Sequence, residues 1–69
     1  MKNLETLTYN NQVLTVLITV EEESRVYAEY FINGYLQCNW ELILPIYQKL
    51  LSTMLDNYCE VNNLTKWSY

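Results

Sequence analysis

Apolar and polar side chains alternate from Val13 to Val20, with Leu14, Val16, Ile18 and Val20 on one side and Val13, Thr15, Leu17 and Thr19 on the other. A period of two predicts a strand with one buried face. Leu4 to Tyr9 precedes it, rich in Thr and ending in an aromatic residue. Asn10-Asn11 between the segments accepts the positive φ angles of a two-residue hairpin turn. That turn sets Tyr9 opposite Gln12 and Leu7 opposite Leu14, so Leu7 joins the apolar face of the second strand.

A third alternating segment runs from Arg25 to Phe31, with Val26, Ala28 and Tyr30 on one parity and Tyr27, Glu29 and Phe31 on the other. With Glu22-Glu23-Ser24 as the loop, Val20 faces Val26, Ile18 faces Ala28, Val16 faces Tyr30, and Glu21 stands opposite Arg25. Asn33-Gly34 is the strongest turn signal in the chain, yet a two-residue loop there sets Tyr30 against Gln37 and Phe31 against Leu36, which mixes the faces. A three-residue loop of Ile32, Asn33 and Gly34, closed by a left-handed glycine bulge, sets Tyr30 against Leu36, Ala28 against Cys38 and Val26 against Trp40. The hydrophobic pattern favours the longer loop, which pairs Phe31 with Tyr35.

Beyond Trp40 the period changes. Leu44 is biased away from helical angles by the proline after it, and Pro45 suits the first turn of a helix. Ile46, Tyr47, Leu50, Leu51, Met54, Leu55 and Tyr58 then form a wide apolar stripe, with Gln48, Lys49, Ser52, Asp56 and Glu60 on the polar side. Asn62-Asn63 is the expected stop. The pattern therefore predicts an α+β domain spanning 1–69: a four-stranded antiparallel β-meander with one C-terminal amphipathic helix packed on one face (ββββα). Strands are expected at about 4–9, 13–20, 25–31 and 35–41, a helix at about 45–61 and a short tail at 64–69.

Composition sharpens this picture. The chain has 69 residues, 51% of them hydrophobic and 17% charged, so it belongs with globular rather than disordered sequences. A chain this short buries only about 60% of the surface its unfolded form exposes, which makes its stability marginal. No apolar run approaches a membrane span, and the start carries no signal-peptide core, so the expected address is cytoplasmic, with no membrane partner. Cys38 and Cys59 sit within apolar patterns and are read as reduced, buried packing residues.

Candidate chemistry is sparse. There is no histidine, which removes the usual general base and the commonest metal ligand, and one glycine cannot build a phosphate-cradling loop. No catalytic residue, cofactor or metal site is expected. Glu21, Glu22 and Glu23 are the one dense acidic cluster; consecutive carboxylates in a turn share one wet environment, unlike the unequal pair that acid-base catalysis needs. With a net charge of −4 and four scattered basic residues, direct nucleic-acid binding is disfavoured and a basic protein partner is the compatible one.

The helix can cover only one side of the sheet. The other side is expected to gather Leu17, Tyr27, Phe31 and Tyr35, with Glu29 beside them, into a tyrosine-rich interface patch. Three occupants fit: a second copy, giving a homodimer; a different protein; or the chain's own Trp67 and Tyr69 folded back. In size, charge and architecture the chain is similar to the small acidic inhibitors that phages and mobile elements use against host defence or transcription proteins. That likeness implies a non-enzymatic interaction module acting by surface occupation, with Glu22, Glu23 and Glu29 imitating phosphates toward a basic groove. The alternative is a structural or assembly subunit that dimerises or adds its first strand to a larger complex.

Overall fold

The computed structural model describes residues 2–65 and 67. Strands β1 (Lys2–Tyr9), β2 (Gln12–Val20), β3 (Val26–Ile32) and β4 (Tyr35–Leu36) form one antiparallel sheet in the order β1-β2-β3-β4. Helix α1 (Pro45–Val61) follows a 3-10 turn at Trp40–Leu42, completing the ββββα meander that the alternation predicts.

The first two hairpins have the expected registers. Asn10 (φ 49°) and Asn11 (φ 63°) are both left-handed, as the tight turn requires, and Tyr9 pairs with Gln12 and Leu7 with Leu14. Between β2 and β3, Val20 faces Val26, Ile18 faces Ala28 and Val16 faces Tyr30. Glu22–Ser24 closes this hairpin as a 3-10 turn, with the Glu21 N–H donating to the Arg25 carbonyl at 2.9 Å.

The third hairpin corrects the sequence reading. Asn33 (φ 53°) and Gly34 (φ 83°) form a two-residue turn, Ile32 pairs with Tyr35, and Phe31 pairs with Leu36, not with Tyr35. The turn is locked to β2: the Asn33 N–H donates to the Val13 carbonyl at 2.8 Å, and Asn33 Oδ1 accepts from the Val13 N–H at 3.0 Å. The longer loop follows from keeping the two faces unmixed along a fourth strand of 35–41, but β4 stops at Leu36. One further bond, from the Gln37 N–H to the Tyr30 carbonyl, ends the pairing. Neither Ala28–Cys38 nor Val26–Trp40 forms, and Cys38 is exposed where burial was expected.

Trp40 still reaches the core, from the 3-10 turn, where its ring lies 4.5 Å from that of Tyr30. Gln48 Nε2 donates to the carbonyls of Trp40 (2.7 Å) and Ile43 (2.9 Å), tying this turn to the first turn of α1. Pro45 opens the helix after an extended Leu44. Left-handed Asn63 (φ 55°) closes it: the Leu64 N–H donates to the Cys59 carbonyl and the Asn63 N–H to that of Glu60, the two bonds of a Schellman stop.

The core lies between α1 and the sheet face made by the even-numbered residues of β2 and β3 and the odd-numbered residues of β1. Leu14, Val16, Ile18, Val26 and Tyr30 meet Ile43, Tyr47, Leu51, Leu55 and Cys59, with Trp67 closing one end. Of the predicted stripe, Tyr47, Leu51 and Leu55 are buried, Leu50, Met54 and Tyr58 are half-buried, and Ile46 is exposed. The helix lies chiefly over β2.

Candidate protein-interaction face

In an antiparallel pair, directly opposed residues point to the same side, so the three registers determine the composition of the open face. β1 contributes Leu4, Thr6 and Thr8; β2 contributes Val13, Thr15, Leu17 and Thr19; β3 contributes Tyr27, Glu29 and Phe31; β4 contributes Leu36. Leu17 stands between Leu4 and Glu29, with Tyr27 and Phe31 diagonal to it, and Phe31 joins Leu36. Leu4 is 59% exposed, Tyr27 50% and Leu36 48%, while Leu17 and Phe31 are half-buried among their neighbours.

Four of the five expected interface residues, Leu17, Tyr27, Glu29 and Phe31, therefore share the open face. Tyr35 does not. The two-residue turn places it on the parity of Ile32, on the helix side, where it lies 77% exposed at the sheet's far edge. Sequence reasoning places Val13 on this side with Leu17 but misses Leu4 and Leu36. Leu4 was recoverable from the first hairpin, whose register sets it opposite Leu17, whereas Leu36 enters only with the shorter third turn.

The C-terminal segment does not cover this face with Trp67, as one reading of the sequence had it. Trp67 is buried on the helix side, its ring 6.3 Å from Trp40 and 6.5 Å from Tyr30, and its Nε1–H donates to Asp56 Oδ1 at 2.9 Å. An indole buries well only where its N–H finds a partner, and Asp56 on α1 supplies one. Tyr69 lies outside the described residues.

Glu21, Glu22 and Glu23 are all exposed at the β2–β3 end of the sheet, Glu23 with φ 65°. Among the described residues no cluster of three or more His, Cys, Asp or Glu side chains is arranged to hold a metal ion. Burial pushes the Cys59 thiol above its ordinary pKa, the opposite of what a nucleophile needs. No helix of the described residues is long and apolar enough to cross a membrane.

Comparison of the chain with family models, curated proteins and solved structures returns no match.

Proposed function

We propose that the chain is a non-enzymatic protein-interaction module of the cytoplasm, a homodimer that acts by occupying a partner's surface with its open sheet face. One observation carries this reading: the apolar side chains of the open side of the sheet stay together, and no helix or strand among the described residues covers them, Trp67 packing on the other side. A small chain of marginal stability keeps such a face at a cost in solubility, which a binding role explains.

Charge supports the class of partner. With a net charge of −4, exposed Glu21, Glu22 and Glu23 at one end and Glu29 on the face itself, the module is complementary to a basic protein surface. Surface occupation by a small acidic protein is the manner of action of phage and mobile-element inhibitors, and that is the biological role we assign to it.

The test uses affinity capture from the native host with the wild type, Phe31→Glu and Glu22→Gln/Glu23→Gln. A basic protein retained by the wild type should be lost with Phe31→Glu while the far-ultraviolet circular dichroism is unchanged. The double Gln variant should bind more weakly, with a flatter salt dependence. Equal capture by wild type and Phe31→Glu would sink the reading.

A further inference from the structure

Helix α1 leaves unequal gaps on its two flanks. On the β3 side, Trp40 and Trp67 close against Tyr30. On the β1 side two adjoining cavities of about 620 and 510 Å³ run between strand and helix and share Met54 and Asn57. Asn3, Glu5 and Val61 line one end; Leu7, Ile46 and Lys49 line the other.

The strand bordering this groove is an open edge. Because Tyr9–Gln12 closes a two-residue turn, Tyr9, Leu7, Glu5 and Asn3 exchange their backbone bonds with β2. The N–H and C=O groups of Thr8, Thr6, Leu4 and Lys2 therefore point outward, and among the described residues no strand pairs with them. Edges are usually blunted by proline, a bulge or charges; β1 has no proline or bulge, its outward-bonding positions carry Leu and Thr with Lys2 at the end, and Glu5 is the single charge at its middle.

We propose that a second copy of this chain docks on this edge, β1 antiparallel to β1 and centred on Thr6, joining the two four-stranded sheets into one of eight strands. The proposal rests on the homodimer reading above and names the surface that makes the dimer. Keeping each face on its own side restricts the two-fold axis to a residue facing itself. Centring on Glu5 opposes two carboxylates, and centring on Leu7 leaves the start of β1 unpaired. Centring on Thr6 pairs Thr6 with Thr6 and Leu4 with Thr8, and leaves Lys2 beside the partner's turn at Asn10.

The same register is electrostatically complementary. It brings Glu5 of one copy opposite Leu7 of the other, and Leu7 lines the same cavity as Lys49. Each half-buried Glu5, held on one oxygen by Asn3 Nδ2 at 2.7 Å, then lies beside the partner's cavity that Lys49 lines, and symmetry makes two such pairs of opposite charge. Dimerisation also joins the two open faces side by side. From strands about 4.8 Å apart rising about 3.3 Å per residue, one face measures roughly 400 Å² in plan and the joined pair roughly 800 Å². The larger figure is near the area per partner of a standard specific interface, about 800 Å².

Light scattering on the pure protein tests this, with circular dichroism as the check on folding. The wild type should show twice the 8.3 kDa chain mass. Thr6→Pro, which removes an outward N–H and leaves the β1–β2 ladder intact, should be monomeric. Glu5→Lys and Lys49→Glu should each weaken the dimer by about tenfold, and the two together should restore it. If Thr6→Pro does not fold, this charge exchange decides alone. Phe31→Glu should remain a dimer. A monomeric wild type overturns both the homodimer reading and the edge. A dimer that survives Thr6→Pro and the charge reversals but is lost with Phe31→Glu overturns the edge alone and assigns the dimer to the open faces.

Discussion

At the scale of single residues, the two cysteines show how position rather than type decides behaviour. Cys38 lies past the end of β4 and is exposed, whereas Cys59 is 5% exposed beneath Trp67 and its thiol pKa is raised by burial. A thiol reagent should therefore modify Cys38 rapidly in the native protein and Cys59 only on unfolding, as counted by mass spectrometry; two fast thiols would contradict this. The raised pKa also has a sign for stability. The folded state holds the Cys59 proton more tightly than the unfolded chain does, so its contribution is complete below the ordinary thiol range and is lost as pH rises through the folded value. Urea titrations at increasing alkaline pH should show a steeper loss for the wild type than for Cys59→Ala.

At the scale of elements, the turns do most of the specifying. Asn10-Asn11 and Asn33-Gly34 take left-handed angles at both central positions, and Asn63 takes the same conformation to end α1. Gly34 has φ 83° and open space where a Cβ would stand, so Gly34→Ala meets no clash and costs only the conformational penalty, about 1 kcal/mol. The urea midpoint should fall accordingly with an unchanged slope; a loss several times larger would mean that the turn anchors more than β4. The third hairpin also shows which local signal outranks which. Asn-Gly geometry matches the strand twist residue by residue, whereas a face-segregation argument gains force only with strand length, and β4 has two residues. Leu36 and Tyr35 change sides as a result, and with them one member of the expected interface.

At the scale of the molecule, one helix over one four-stranded sheet leaves, among the described residues, one face and one edge without a covering element, and the two Trp residues seal the flank away from that edge. If the edge pairs two copies, folding and association are linked, and mass action makes the melting temperature rise with protein concentration. Thr6→Pro should melt at a temperature independent of concentration, measured by circular dichroism over a hundredfold dilution series of about micromolar to tenths of millimolar. A concentration-independent wild type would break that link.

The amino-acid sequence alone determined the meander, the first two registers, the limits of α1 and four of the five face residues, because each follows from side-chain period and turn chemistry acting over a few neighbouring residues. Only the tertiary structure decided where β4 stops, that Trp40 and Trp67 join Tyr30 beside the helix, and that a groove opens along β1. Those outcomes depend on how wide a sheet one helix can cover and on which distant ring fills the space left over. Such quantities are set by three-dimensional packing and leave no periodic trace along the chain.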